Sequence, residues 1–278
     1  MTRIDRRALF TSGAAAALLA ASGLSAQTPR AGGALRLAVP REGGMLDVVA
    51  RGAVYDSLAE IGPDGVLRPE LATAWHGSPD ARDWRFDLRD DVVFHDGTAM
   101  TARDVALSLT AQDVPGLIRA QASGAGQVQL RLAQGNPDLP FHLARAGVVV
   151  APGGDVDVPL DQAVGTGAYG VTRWQDGRGF LGQKIDGHYK SGRAGWVDTV
   201  EVVVIPDARV RAEALRDGFV DVAALPQAEG LLGRGAFVFH PSEQDMALAA
   251  RTSVGLPPRI GMAAPLDNGR IAERWWMA

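Results

Sequence analysis

VYDSLAEIGPDGVLRPELATAW, residues 54–75, and WRFDLRDDVVFHDGTAMTARDVALSL, residues 84–109, follow each other closely in this chain. Within the first segment, Gly62-Pro63-Asp64-Gly65 predicts a turn between two hairpin arms, because proline presets φ and glycine tolerates a positive φ. Within the second, Thr101 and Asp104 form the T-x-x-D variant of a capping box, which predicts the start of a helix. The two segments therefore indicate short hairpins mixed with helices.

Alternation of apolar and polar side chains predicts most of the strands. In WRFDLR, Trp84, Phe86 and Leu88 fall on one face, and VVFH after it is expected to pair with it as an antiparallel strand. The remaining predicted strands are ALRLAV (34–39), QVQLRL (127–132), GVVVAP (147–152), the hairpin of YGVTRW (169–174) with GFLGQKI (179–185), VDTVEVVVI (197–205) and VDV (220–222).

Helices are predicted at Ala53–Glu60, within DLPFHLAR (138–145) and at Asp207–Asp217. For the last of these, the side chain of Asp207 is placed to cap the first turn, and Gly218 is placed to end the helix. Its expected buried face is formed by Ala208, Ala212, Leu215 and Phe219, which follow one another at helical spacing.

Composition limits the class of protein. The 278 residues carry a net charge of −4, contain no cysteine and are 46% hydrophobic. Such a chain can bury an apolar core without disulfides, and thiol chemistry is excluded. The acidic balance, with no run of four basic residues, argues against nucleic acid as a partner.

The first 26 residues have the pattern of an export signal, with basic residues before the apolar run GAAAALLAASGL and small residues at its end. Arg6 and Arg7 resemble a twin-arginine signal, and an ordinary secretory signal is the alternative. No cysteine follows that could take a lipid. We expect cleavage near Ala26, which leaves residues 27–278 as a periplasmic protein.

Some sequence patterns could indicate catalysis, a cofactor or a metal, but the residues around them argue against each. GTGAYG (165–170) matches the dinucleotide motif G-x-G-x-x-G, but a strand pattern follows it where a helix is required. Neighbours on a strand point to opposite faces, so His95 and Asp96 make a poor acid–base pair, and Asp96-Gly97 instead predicts a turn. The five histidines lack metal-ligand spacing. We therefore expect no enzyme activity, no metal site and no cofactor.

Four motifs in order, LRPELATAW, WRFDLRDDVVFHDGTAMTARDV, GTGAY and RVRAEALRDGFVDV, resemble the peptide/nickel class, family 5, of ABC transporter substrate-binding proteins. The resemblance covers about residues 34–225. It implies an α/β (mixed α+β) fold, the type II periplasmic-binding-protein-like clamshell with a mixed sheet. It also implies capture of peptides, nickel chelates or similar solutes for delivery to an ABC permease in the inner membrane.

The chain departs from that pattern. Lys190 lies where an aromatic residue is common, and the residues after Leu225 are too few to build a second lobe of ordinary domain size. We therefore expect a truncated clamshell: one reduced lobe over 27–278, with 47–145 as a possible small subdomain. Residues 226–278 are expected to return to the sheet through PLDNGRIAERWW.

Two functional classes remain open. The first is a periplasmic solute-binding component of a peptide-type importer, and the second is a non-transporting, single-lobe interaction or regulatory protein. Exposed apolar surface that drives formation of a homodimer would favour the second class. Open α/β sheets bind ligands at the carboxyl ends of their strands. The candidate ligand-binding residues are therefore loop and hinge residues, namely Gly44, Met45, Leu46, Thr166, Gly167 and Tyr169.

Overall fold

The structure, a computed structural model, describes residues 31–61, 66–145, 147–228, 230–233, 236–240 and 247–254. The predicted export signal, the turn at 62–65 and the predicted return segment PLDNGRIAERWW lie outside the described residues. Within the described part of the chain, no helix is both long and apolar enough to cross a membrane.

Thirteen strands and four α-helices are present in the described residues. The strands are β1 Ala34–Val39, β2 Ala59–Ile61, β3 Leu67–Pro69, β4 Ala72–Gly77, β5 Asp83–Leu88, β6 Leu117–Ala122, β7 Gln127–Leu132, β8 Tyr169–Gln175, β9 Gly179–Lys184, β10 Thr199–Val204, β11 Val222–Ala224, β12 Phe237–His240 and β13 Leu248–Arg251. The helices are α1 Met45–Val54, α2 Ala102–Ala111, α3 Leu139–Leu143 and α4 Ala208–Asp217.

The larger sheet has seven strands in the order β12-β13-β11-β1-β10-β9-β8. Its central strand β1 runs parallel to β10 and β11, whereas the outer pairs are antiparallel. Both faces are covered: α1 packs with one set of alternate side chains and α4 with the other. Burial on both faces explains the nearly continuous apolar runs of the central strands.

The smaller sheet has the order β4-β5-β7-β6 and is entirely antiparallel. One face packs on α2 and α3 through a separate apolar core centred on Phe86, Leu109 and Leu130. Strands β2 and β3 form an additional hairpin. The boundaries 47–145 of the predicted subdomain stay a prediction.

Most of the local predictions are confirmed. The strands predicted at 34–39, 84–89 and 127–132, and the hairpin of YGVTRW with GFLGQKI, are present with shifts of a residue or so. Thr101 and Asp104 form the predicted capping box. The turn at Asp96-Gly97 is also confirmed, since Phe94 N–H donates to the carbonyl of Thr98.

The helix predicted at Ala53–Glu60 is wrong. The helix in this region is α1, which ends at Val54, and Ala59 already belongs to β2. Two buried polar side chains divide these elements: the hydroxyl of Ser57 donates to the carbonyl of Ala59, and the carboxylate of Asp56 accepts from Tyr189. Bonds to other parts of the chain thus override local helical propensity.

Two further strand predictions are wrong. VVFH does not pair with β5, because both edges of β5 are occupied by β4 and β7. GVVVAP is buried as expected but is not a strand. Two of its backbone N–H groups donate to side chains, that of Val149 to Gln112 and that of Ala151 to Ser108.

Two smaller corrections concern the residues that follow α4. The strand predicted at 220–222 lies at Val222–Ala224. Phe219, expected on the buried face of α4, is 71% exposed. Gly218 adopts a left-handed conformation, with φ of 82°, and ends the helix, so the next residue no longer follows the helical face.

Candidate functional site

The loop after β1 brings Gly44 to the carboxyl end of the central strand. Gly44 is exposed, has a φ of 65° and begins α1 without a side-chain cap. No heavy atom lies within 4 Å of the position that a Cβ would take there, so the backbone is open to a solute. Met45 and Leu46 are the first residues of α1; Met45 is half-buried, and Leu46 is buried in the core beside the larger sheet.

Residues 165–167, here called the strap, cross between the two cores against the other end of α1. Gly167 N–H donates to the carbonyl of Val54 at 2.8 Å. A Cβ at Gly167 would stand 2.6 Å from the carbonyl carbon of Val54, and one at Gly165 would stand 2.8 Å from it. Only glycine permits this close approach of the two backbones.

The other two predicted site residues, Thr166 in the strap and Tyr169 just after it, are buried. Tyr169 has no exposed surface, and its hydroxyl donates to the carbonyl of Val197 at 3.2 Å. The side chain of Thr166 is also buried, and its hydroxyl oxygen has no hydrogen-bond partner. A ring that stacks on a solute needs an exposed face, which Tyr169 lacks in this structure.

The two groups of predicted site residues therefore do not come together. Gly44, Met45 and Leu46 lie at the start of α1, whereas the strap contacts its last residues, Ala53 and Val54. A ten-residue helix is about 15 Å long, so the groups are separated by roughly that length. Their role in ligand binding stays a prediction.

A buried polar network, which sequence reasoning missed, joins the two parts of the fold beside the strap. We call it the junction cluster. Its members come from the segment after α1, the β2–β3 hairpin and the loop after β9, and they are Asp56, Glu60, Glu70, His188, Tyr189 and Lys190.

The junction cluster pairs acids with donors. The hydroxyl of Tyr189 lies 2.9 Å from Asp56 Oδ2 and 3.1 Å from Glu70 Oε1. Lys190 Nζ lies 2.9 Å from Glu60 Oε2 and also bonds Glu70. Asp56 and Glu70 are fully buried, so these bonds compensate for the hydration that the carboxylates lose. The feature of the sequence that pointed to the cluster was Lys190, at a position where an aromatic residue is common.

Two histidines bind the strap. His95 Nε2 lies 2.8 Å from the carbonyl oxygen of Gly167, and His188 Nε2 lies 3.0 Å from that of Thr166. Burial lowers the pKa of His95, although its bond to Gly167 and the nearby carboxylate of Asp56 act in the opposite direction. A neutral ring is therefore favoured at this position.

The chemistry of this region is that of a fixed support. Its carboxylates accept from Tyr189 and Lys190, and its histidines bond backbone carbonyls. Within the described residues, no group of three or more His, Cys, Asp and Glu side chains could hold a metal ion. The accessible backbone lies instead at Gly44.

Comparisons with known proteins agree with this fold. The family model "Bacterial extracellular solute-binding proteins, family 5 Middle" matches residues 66–234. The structure of the PBP AgaA from A. tumefaciens R10 in complex with agropinic acid superposes with a TM-score of 0.62 at 29% identity, covering 70% of this chain and 44% of that one. The fold is thus the mixed-sheet, type II periplasmic-binding-protein type.

Two curated relatives differ in their described roles. The probable D,D-dipeptide-binding periplasmic protein DdpA of Escherichia coli is 27% identical over 196 residues, which is 62% of this chain and 38% of DdpA. The HTH-type transcriptional regulator SgrR of Pectobacterium atrosepticum is 27% identical over 161 residues, which is 55% of this chain and 28% of SgrR. The chain spans less than half the length of these relatives. The match over residues 66–234 covers more than half of the chain. The chain therefore belongs to the bacterial extracellular solute-binding proteins of family 5.

Proposed function

We propose that this protein is a periplasmic solute-binding component of a peptide-type ABC importer, which captures a peptide or similar small solute for an inner-membrane permease. The observation that carries the proposal is the family match across both cores. The named ligands of two relatives, a D,D-dipeptide and agropinic acid, support a small solute rather than a macromolecule.

Direct contact with the solute is proposed at Gly44 and Met45. The loop is exposed at the carboxyl end of β1, which is where open α/β sheets place their ligand crevice. A glycine without neighbours lets backbone groups approach a peptide closely. Thr166, Gly167 and Tyr169 are buried and lie toward the other end of α1, so they are proposed to act indirectly, by fixing the helix that follows the Gly44 loop.

A glycine-to-asparagine substitution tests the contact with little strain, because asparagine tolerates left-handed backbone conformations. Gly44→Asn should cover the loop backbone and weaken binding of a co-purified solute about tenfold, equivalent to about 1.4 kcal/mol. Gly124→Asn is the matched control, because Gly124 also has a positive φ and no heavy atom within 4 Å of a Cβ. Equal solute affinity in the two variants would contradict a contact at Gly44.

Native mass spectrometry of the protein purified from periplasm tests the function itself. A retained peptide or chelate, or one gained from a peptide library, is the expected result. The spectrum also gives the oligomeric state, which shows whether one copy or a homodimer holds the solute.

A second candidate is a non-transporting interaction or regulatory protein. The similarity to a named transcriptional regulator favours it. A protein that stays unliganded throughout the same peptide challenge would support this candidate over solute import.

A further inference from the structure

His95 and His188 come from distant parts of the chain and bind consecutive carbonyl groups of the strap. The carbonyl oxygens of Gly167 and Thr166 can only accept hydrogen bonds, so each histidine must carry its proton on Nε2. For a neutral imidazole, this leaves Nδ1 as an acceptor on both rings.

The second nitrogen distinguishes the two histidines. His188 Nδ1 accepts from the backbone N–H of Lys190 at 3.2 Å, so the neutral ring of His188 is bonded through both nitrogens. His95 Nδ1 is buried and has no hydrogen-bond partner. A second proton on His95 would therefore place a donor and a positive charge at a buried position without an acceptor, which is unfavourable.

The bare backbone of Gly170 borders His95 Nδ1. A Cβ at Gly170 would stand 3.8 Å from this nitrogen and 2.9 Å from Ile185 Cδ1. Rotation of a charged ring toward water would be needed to satisfy the new N–H. That rotation removes the bond from Nε2 to Gly167.

The titratable groups facing His95 come from three elements. The carboxylates of Asp56 after α1 and Asp96 in the same turn favour the charged ring, whereas a charge on His188 would oppose it. Asp96 Oδ1 is already bonded to the N–H and hydroxyl of Thr98, and Asp56 Oδ2 to the hydroxyl of Tyr189. Burial outweighs these charges and lowers the pKa of His95.

The position of His95 gives its protonation a structural consequence. Its backbone N–H donates to the carbonyl of Gly165 at 2.9 Å, and its ring donates to Gly167, so one residue holds both ends of the strap. The strap in turn holds the end of α1 through Val54. His95 thus connects the turn beside the smaller sheet to a helix of the larger one.

We propose that His95 and His188 form a pH-sensitive latch on the strap, which is closed while His95 is neutral and opens when His95 takes up a proton in mildly acidic solution. Opening loosens the junction between the two cores. The latch requires no solute and goes beyond the proposed transport role.

Hydrogen exchange of the Gly167 amide tests the latch in the full chain. Once the strap opens, His95 titrates as an ordinary histidine with a pKa of about 6.5. The exchange rate of the Gly167 amide, divided by its intrinsic rate, reports the fraction of molecules with an open strap. This fraction should be up to about tenfold higher at about pH 5.5 than at about pH 7.5. In His95→Gln this increase should be absent, because glutamine can donate to Gly167 but does not titrate.

His76→Gln is the matched control, because His76 is exposed on β4, and it should behave as the unsubstituted protein does. Protection of Gly167 that does not change with pH, or an equal increase in His95→Gln, would overturn the latch. If His95→Gln fails to fold, nitrogen NMR of labelled histidine in the unsubstituted protein decides. His95 should still be the neutral Nε2–H tautomer at about pH 6.5 and take up its proton at lower pH, and titration at about 6.5 would overturn the proposal.

Discussion

Lys190 Nζ lies 2.9 Å from Glu60 Oε2, and the same ammonium group bonds Glu70, which has no exposed surface. Lys190 follows β9 of the larger sheet, whereas the two acids belong to the β2–β3 hairpin and the residue after it. One ammonium group therefore bonds two carboxylates at the junction between separate cores. Removing it would take away the positive charge that offsets a fully buried carboxylate.

Lys190→Met should destabilise the protein by about 3–5 kcal/mol, the usual result of removing one partner from a buried ion pair. Urea denaturation followed by circular dichroism measures the effect. Arg216→Met is the control, since it removes the exposed ion pair with Asp217 and should leave the unfolding midpoint unchanged.

Replacing the acid as well provides a further check on the ion pair. Lys190→Met combined with Glu70→Gln should recover part of the lost stability, because residue 70 no longer carries the buried charge that Lys190 offsets. Additive losses in the double variant would show that Lys190 acts through packing and not through charge.

Close backbone contact at the strap predicts the effect of adding one methyl group. Gly167→Ala should cost about 1–3 kcal/mol, because the new Cβ would collide with the carbonyl group of Val54 and a backbone cannot rotate away. Gly126→Ala is the control, since no heavy atom lies within 4 Å of its Cβ position, and it should change stability by less than about 0.5 kcal/mol. Similar unfolding midpoints for both variants would contradict the close contact.

Local signals predicted local structure well. The alternation of apolar and polar side chains in β1, β5 and β7 depends on residues within one strand, and the capping box of α2 depends on residues within one turn. The sequence alone was therefore sufficient to find them. Strand β6, LIRAQA, was missed; it is an edge strand, and none of its residues is fully buried.

Long-range contacts account for the failures. Asp56 ends the segment predicted as helical by bonding Tyr189, which is more than a hundred residues away in the chain. The junction cluster is assembled in the same manner, so no spacing in the sequence indicates it. Gly44 and the strap likewise lie apart because α1 runs between them. The sequence positions of the two loops did not indicate the length and direction of this helix.

The capping box of α2 predicts a difference between two threonines of the same helix region. Thr101→Ala should cost about 1 kcal/mol, because the N–H of Asp104 loses the hydroxyl that it bonds at 3.3 Å. Thr110→Ala removes an exposed hydroxyl that bonds the carbonyl of Ala106 within the helix, and should change stability by less than about 0.5 kcal/mol. Thermal unfolding of both variants measures the difference, and a larger loss at Thr110 would argue against the cap.

Helix α4 provides a last test, which separates burial from helical spacing. Leu215 and Phe219 have the spacing of one helical face, but Leu215 is fully buried and Phe219 is 71% exposed, because Gly218 ends the helix between them. Leu215→Ala should therefore cost about 2–5 kcal/mol, as expected for a cavity in the core. Phe219→Ala should change stability by less than about 0.5 kcal/mol, since it removes a ring that is mostly in water. Urea denaturation of the two variants in parallel measures both values. A loss at Phe219 comparable to that at Leu215 would mean that the ring is covered in solution, which would restore the original expectation from spacing.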